Sequence, residues 1–182
     1  MAPPALKPRV LVVDDSAINR TAFEAVLEGD FSVTLAESGA QAIEKCRTAE
    51  FAVIVLDVRM PGMDGFDTAK ALRTREATRA TPIIIFTSAY DQNLAQITRG
   101  FSAGATDFLF TPVEPDLLKI KVTTYAQIYL RHEALRMQVQ ELQRAIVELR
   151  EELKRRGQAV TTVRERLDTV ERKASEIDRD TQ

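Results

Sequence analysis

The sequence is poor in several residue types that build common functional sites. Its 182 residues include no tryptophan, one cysteine and one histidine. A single cysteine excludes an intramolecular disulfide and any zinc site built from several cysteines. Lysine and arginine sum to 25 against 27 for aspartate and glutamate. The resulting net charge of −2 gives no support for nucleic acid or an anionic membrane as the partner.

The chain also lacks the hydrophobic segments that direct proteins into membranes. No apolar run approaches the roughly 20 residues that a helix needs to span a bilayer. The N-terminus, MAPPALKPR, has no apolar stretch of the kind found in secretory signal peptides. We therefore expect a cytoplasmic protein in a reducing compartment, without a membrane partner.

Short apolar runs alternate with helical patterns in the first two thirds of the sequence. The runs are β-branched and bounded by turn residues, which is typical of buried parallel strands. They are Arg9–Val13, Phe31–Leu35, Phe51–Leu56, Pro82–Phe86 and Thr106–Phe110. Apolar residues at helical spacing lie between them, over Ala17–Leu27, Gly39–Thr48, Gly65–Arg73 and Gln92–Ala103. Right-handed crossovers then favour an α/β fold, a doubly wound five-stranded parallel sheet.

The last third of the chain has a different pattern. Apolar residues recur there at alternating spacings of three and four, which predicts a long α-helical coiled coil over residues 123–180. The a positions are Tyr125, His132, Val139, Ile146, Leu153, Val160, Leu167 and Ala174. The d positions are Ile128, Leu135, Leu142, Leu149, Arg156, Val163, Val170 and Ile177. An amphipathic helix must bury such a stripe, and a parallel homodimer is the simplest solution.

A second interpretation of this segment stays open. Three basic residues precede Gly157, as at the C-terminus of a helix, and Thr162 with Glu165 forms a possible capping box. These features are typical of a helical hairpin that turns near residues 157–161. The unbroken heptad phase favours a continuous helix instead.

Polar residues follow the predicted strands where a functional site is expected. Ligands of parallel α/β sheets bind outside the carboxyl ends of the strands. Asp14 and Asp15 follow the first strand, Asp57 the third, Thr87 the fourth and Thr111 the fifth. Clustered carboxylates repel one another unless a cation lies among them, and oxygen ligands are those that Mg²⁺ prefers. A carboxylate beside the metal could accept a phosphoryl group.

These residues stand within motifs that resemble a known family. The motifs are VVDDS (Val12–Ser16), LDVRMPGMDG (Leu56–Gly65), FTSA (Phe86–Ala89), GATDF (Gly104–Phe108) and Pro112. At these spacings and on these strands, the sequence resembles the receiver domain of two-component response regulators. The resemblance covers residues 8–122, and residues 1–7 are expected to form a disordered tail.

The resemblance implies a role for each candidate residue. Asp57 would be the phosphoacceptor, Thr87 the switch hydroxyl and Phe108 the switch aromatic. The Mg²⁺ ligands would be Asp14, Asp15, Asp57 and the backbone carbonyl of Arg59. The phosphoryl donor would be a phosphohistidine on a sensor histidine kinase or a phosphotransfer protein.

One position departs from the family pattern. Thr111 stands where the family nearly always has lysine. A hydroxyl brings no positive charge, and a neutral hydrogen bond is about half as strong as a charge-assisted one. Two hypotheses follow. Either Asp57 is phosphorylated with altered switching, or the chain is a degenerate receiver that acts as a constitutive dimeric scaffold.

The sequence contains no recognisable catalytic domain, so we expect a signalling protein rather than an enzyme. The coiled coil would transmit the state of the receiver to a downstream target that the sequence does not identify. A further alternative is that the chain is the N-terminal fragment of a larger regulator, with its output domain missing.

Overall fold

The computed structural model describes residues 7–88 and 93–180. Side chains are described through Gln158 and then at residues 161, 163–170 and 172. Most of the predicted N-terminal tail, and the predicted start of a helix at Gln92, lie outside the described residues. The chain divides into two units, Met1–Glu133 and Ala134–Gln182, called here the receiver unit and the C-terminal unit.

The receiver unit contains one parallel sheet of five strands in the order β2-β1-β3-β4-β5. The strands are β1 Arg9–Val13, β2 Ser32–Ala36, β3 Val53–Asp57, β4 Ile83–Ser88 and β5 Asp107–Thr111. This sheet, with helices against it, confirms the predicted doubly wound α/β fold. Most strands begin or end one or two residues later than the apolar runs predicted. The polar residues at the strand ends still pair with neighbouring strands, for example Asp57 with Phe86.

Six helices accompany the strands within the described residues. They are α1 Ala17–Leu27, α2 Gly39–Thr48, α3 Gly65–Arg73, α4 Glu76–Arg79, α5 Leu94–Ser102 and α6 Pro115–Asp180. The first three begin and end where the sequence predicts. Ser16 caps α1 as expected, because its hydroxyl accepts a hydrogen bond from the Asn19 N–H at 3.4 Å. The single turn α4 was not predicted.

Both faces of the sheet are buried. Side chains alternate between the two faces along a strand, so neighbouring apolar residues enter different cores. Leu11, Ile54 and Ile85 pack with α2 and α3 on one side, and Val12, Val55 and Ile84 pack with α1 and the first turns of α6 on the other. The carboxyl ends of the strands therefore lie at the edge of a sheet that is packed on both faces.

Helix α6 is continuous through Gly157, so the alternative of a hairpin at residues 157–161 is wrong. The proposed capping box involves Thr162, whose side chain lies outside the described residues, as do those of Val160, Ala174 and Ile177 in the heptad pattern. The described apolar a and d residues of the C-terminal unit are all exposed, for example Val139, Leu142 and Val163. No described helix has a stretch long and apolar enough to cross a bilayer.

Candidate functional site

Three carboxylates converge at one edge of the sheet. Asp14 and Asp15 follow β1, and Asp57 ends the adjacent strand β3, which is in register through Val13 and Leu56. One oxygen of each carboxylate lies within 4.8 Å of the other two. The strand order thus brings together the residues that the sequence singled out as a metal site. Three oxygen donors at this separation fit a hard divalent cation such as Mg²⁺.

Asp14 is the most rigidly held of the three. Its side chain is 1% exposed. One carboxylate oxygen accepts a hydrogen bond from the Ser16 N–H at 2.7 Å, and the other accepts one from the Asn19 amide at 2.8 Å. Its backbone carbonyl accepts a hydrogen bond from the Arg20 guanidinium at 2.6 Å. Burial raises the pKa of Asp14, while the hydrogen bonds from Ser16 and Asn19 to its carboxylate act in the opposite direction.

Asp57 is half-buried beside Asp14, and Asp15 is exposed. Burial and then the charge of Asp14 raise the pKa of Asp57 to about 6, against the hydrogen bonds from the N–H groups of Arg59 and Val58. The folded chain therefore holds a carboxylate in an electrostatically unfavourable place. A bound cation would relieve this cost, since it favours the ionised form of each carboxylate.

The loop after β3 passes very close to Asp57, and Gly65 makes this possible. A Cβ at this position would overlap the backbone carbonyl of Asp57. The Gly65 N–H donates a hydrogen bond to the Val58 carbonyl at 2.9 Å, which closes the loop before α3. A side chain at position 65 would push the loop away from the phosphoacceptor candidate.

Thr87 is the last residue but one of β4, and Thr111 ends the neighbouring strand β5. Thr87 is buried, and its backbone carbonyl accepts a hydrogen bond from the Thr111 hydroxyl at 3.4 Å. Thr111 is half-buried. In this arrangement Thr111 contributes a hydroxyl to the strand end and no positive charge.

The next two lysines after Thr111 along the chain have acidic partners elsewhere. Lys119 pairs with Asp30 at 2.7 Å, and Lys121 pairs with Asp107. Both lie on α6. Their carboxylate partners support the interpretation that neither takes the place of the missing lysine.

Phe108, the predicted switch aromatic, is buried in the receiver unit. Its ring packs edge-to-face on Phe101 at 5.1 Å and stacks on Phe110 at 6.3 Å. A Cβ at Gly100 would overlap the Phe108 ring, so α5 approaches β5 closely. A cavity of about 250 Å³ lies beside these rings, lined by Arg59, Asp64, Thr87, Arg99, Phe108 and Phe110 among others. It leaves space next to the predicted switch residues.

Sequence reasoning missed two residues of this site. Asn19 and Arg20 lie in the first turns of α1 and contact the side chain and the backbone of Asp14. The available signal was their position just after the Ser16 cap, because a cap fixes which residues of the first turns point back at the preceding loop. The residue types at positions 19 and 20 do not by themselves indicate a contact with Asp14.

Comparison with protein-family models matches residues 10–123 to the response regulator receiver domain. The chain belongs to this family. Over 115 residues it is 35% identical to the transcriptional regulatory protein ResD of Bacillus subtilis, an alignment that spans 63% of this chain and 46% of ResD. The receiver match thus extends over less than half the length of the curated relatives.

Solved structures agree with the family assignment. The chemotaxis protein CheY4 of Vibrio cholerae is 33% identical, with a TM-score of 0.63 over 66% of this chain and 99% of CheY4. The receiver domain of the sensor histidine kinase PA1611 of Pseudomonas aeruginosa is 28% identical, with a TM-score of 0.61 over 66% of this chain and 98% of that domain. That structure has a magnesium ion coordinated in its active-site cleft.

Proposed function

We propose that this receiver takes part in a two-component phosphorelay and accepts a phosphoryl group on Asp57. The donor is a phosphohistidine of a sensor histidine kinase or of a phosphotransfer protein. Mg²⁺ is held by Asp14, Asp15, Asp57 and the backbone carbonyl of Arg59. The observation that carries this proposal is the approach of the three carboxylate oxygens to within 4.8 Å of one another on a receiver fold.

The chemistry at Asp57 is a phosphoryl transfer between two nucleophiles. A carboxylate oxygen of Asp57 forms a bond to phosphorus as the N–P bond of the donor breaks, and the electron pair returns to the imidazole nitrogen. The backbone hydrogen bonds from Arg59 and Val58 lower the pKa of Asp57 and so favour the ionised carboxylate that attacks phosphorus. A divalent cation held by these carboxylates would neutralise negative charge on the phosphoryl oxygens.

Thr87 and Phe108 are the proposed switch residues. Thr87 lies near the carboxyl end of β4, which pairs with the strand β3 that ends at Asp57. The Thr87 hydroxyl can donate a hydrogen bond to a phosphoryl oxygen. Phe108 borders the same cavity as Thr87. A change at Thr87 therefore has space in which to alter the packing of Phe108. Thr111 weakens this switch relative to a lysine, because its hydroxyl carries no charge.

The C-terminal unit is proposed to form a parallel two-stranded coiled coil with a second copy of the chain. β-Branched residues at a with leucine at d favour two parallel strands. Val139 and Ile146 occupy a positions, and Leu135, Leu142 and Leu149 occupy d positions. All five are at least half exposed in one chain, so pairing removes a continuous apolar stripe from water. The dimer then carries the receiver state to a downstream protein in the cytoplasm.

A constitutive scaffold is the second candidate, and Thr111 is the observation that favours it. A scaffold needs the fold and the coiled coil but not the charge at position 111. In that case the receiver recruits its kinase without a phosphoryl-dependent change.

One experiment separates the two functions. The full chain is incubated with Mg²⁺ and acetyl phosphate, and its intact mass is measured. We expect a phosphoryl adduct that requires Mg²⁺ and is absent from Asp57→Ala. The matched control is Asp67→Asn, which removes an exposed aspartate of α3 that pairs only with Lys70 on the surface among its described contacts, and should be modified as the wild type is. An unmodified wild-type chain, under conditions that modify another receiver, would leave the scaffold as the function.

A further inference from the structure

Phosphorylation of Asp57 leaves the site with an excess of negative charge. A phosphoryl group brings up to about two negative charges at neutral pH. Asp14 and Asp15 add one each, and a divalent cation offsets only half of the total. Further positive charge nearby would stabilise the phosphorylated site, and Thr111 does not provide it.

Five lysine or arginine side chains among the described residues of the receiver unit pair with carboxylates. The ion pairs are Lys119 with Asp30, Lys121 with Asp107, Arg99 with Asp64, Lys70 with Asp67 and Arg47 with Glu44. Arg99 also lies over the Phe66 ring at 4.5 Å. Moving any of these groups to the phosphoryl site would break an existing ion pair.

Arg20 is placed differently. Its guanidinium is half-buried and donates a hydrogen bond at 2.6 Å to the backbone carbonyl of Asp14, a neutral acceptor. This contact places the positive charge against the loop that carries two of the three carboxylates. The hydrogen bonds of Asn19 to Ser16 and Asp14 hold the first turns of α1 against the same loop. The positive charge of Arg20 is therefore held against the loop between β1 and α1 before any phosphoryl group arrives, and it acts on the Asp14 carboxylate.

We infer that Arg20 supplies positive charge that stabilises the phosphorylated form of Asp57, from its fixed position on the Asp14 backbone. It is a positioning and electrostatic residue, and it offsets in part the charge that Thr111 lacks. This inference rests on the proposed function, because it concerns the phosphorylated state of the same site.

Two substitutions separate the charge of Arg20 from its hydrogen bond. Arg20→Gln keeps an N–H donor and loses the charge, and Arg20→Lys keeps both. The full chain of each variant is treated with acetyl phosphate and Mg²⁺, and the half-life of the adduct is followed by intact mass after the donor is removed. We expect a loss of about five- to tenfold for Arg20→Gln and less than about twofold for Arg20→Lys.

A third substitution tests whether the charge itself matters rather than the local packing. Thr111→Lys introduces a cation from a different strand, and in the Arg20→Gln chain it should restore the half-life to within about twofold of the wild type. A merely structural role of Arg20 in the β1–α1 loop would not be restored from β5. Equal losses in Arg20→Gln and Arg20→Lys, no loss in Arg20→Gln, or no rescue by Thr111→Lys would each overturn the inference.

Failure of the proposed function gives a different result. A wild-type chain that takes no phosphoryl group overturns both proposals, whereas a wild type and an Arg20→Gln chain with equal adducts overturn only this inference. Thermal unfolding of each variant controls for folding. If Arg20→Gln does not fold, Arg20→His replaces it: its adduct should become longer-lived relative to the wild type as the imidazole gains charge between about pH 8 and about pH 6, and an unchanged ratio refutes the inference.

Discussion

The two units of this chain use the same apolar residue types in opposite ways. In the receiver unit, Val12, Leu56 and Ile85 are fully buried. Among the described valine, leucine and isoleucine residues of the C-terminal unit, exposure runs from 50% at Ile146 to 66% at Val163. The difference lies in arrangement rather than amount. A parallel sheet is covered on both faces by helices of its own chain, whereas a single helix presents a stripe that only another helix can cover.

This contrast shows which unit buries its apolar side chains within its own chain. Burying a large apolar side chain contributes about 1.5–3 kcal/mol, and the receiver unit gains this at every strand. An isolated helix gains little from its own hydrogen bonds, because helix nucleation is costly. The heptad stripe of the C-terminal unit is the surface that the proposed dimer would bury, and the following predictions test that contrast.

The largest effect is expected from breaking the stripe. Leu142→Lys places a charge at a d position and should weaken self-association of the full chain by at least about 100-fold, because a buried charge would have no partner in the coiled coil. Sedimentation equilibrium measures the dissociation constant. The thermal unfolding of the receiver unit should not change.

Gln140→Lys is the matched control for this substitution. It adds the same charge at an exposed position outside the a and d stripe, and the dimer should persist. A wild-type chain that is monomeric at all concentrations, or a Leu142→Lys chain that remains dimeric, would contradict the coiled-coil proposal.

A pair of glycines provides the second test. Gly100→Ala introduces a Cβ that overlaps the Phe108 ring, so it should lower the free energy of unfolding of the receiver unit by about 1–3 kcal/mol. At Gly157 an added Cβ meets nothing within 4 Å. Gly157→Ala should therefore stabilise helix α6 by up to about 1 kcal/mol. Urea denaturation followed by circular dichroism measures both.

The two substitutions are expected to change the free energy of unfolding in opposite directions. A destabilising Gly157→Ala would mean that position 157 is packed closely against a partner or needs a bend. A neutral Gly100→Ala would mean that α5 shifts away from β5 without cost, and the close packing around Phe108 would not constrain the receiver.

The smallest effect concerns pH and the carboxylate cluster. The folded receiver raises the pKa of Asp57 from 3.8 to about 6. Between these values the folded state binds more protons than the unfolded state, so this group's contribution to stability falls as the pH rises and is lowest above about 6. Asp57→Asn removes the cost and should stabilise the metal-free chain by about 1–2 kcal/mol at about pH 8.

The pH dependence of this difference is the decisive measurement. Unfolding free energies of wild type and Asp57→Asn should converge towards about pH 4, where Asp57 is protonated in the folded chain. Added Mg²⁺ should reduce the difference at high pH. Asp67→Asn, at an exposed aspartate, should show neither effect, and a pH-independent gap between wild type and Asp57→Asn would contradict the electrostatic origin.

Much of the fold was predictable because the pattern of apolar residues in the sequence indicates which side chains are buried. The three helices that begin after a clear cap or glycine were predicted with their observed bounds, while strands such as β4 were displaced by a residue or two. The displacement has a simple cause. Apolar runs mark which residues are buried, whereas a strand ends where its backbone pairing ends, and polar residues such as Ser88 still pair there.

The candidate site also contains some features that the sequence predicts and some that it does not. Asp14, Asp15 and Asp57 were predictable as neighbours, since parallel strands bring their carboxyl ends to one edge. The contacts of Asn19 and Arg20 with Asp14 were not, because they depend on the angle at which α1 leaves the loop. Nor does sequence show that Lys119 and Lys121 are held by Asp30 and Asp107.

The sequence by itself determined the alternation of strands and helices, the acidic edge of the sheet and the heptad stripe of α6, because each follows from local periodicity. Only the tertiary structure decided how deeply Asp14 is buried, which groups hold it and how far the pKa of Asp57 rises. Burial and the pKa of Asp57 depend on residues that are remote in sequence, and the contacts of Asp14 with Asn19 and Arg20 depend on how α1 packs after the loop. Both are fixed only once the sheet and its helices have formed.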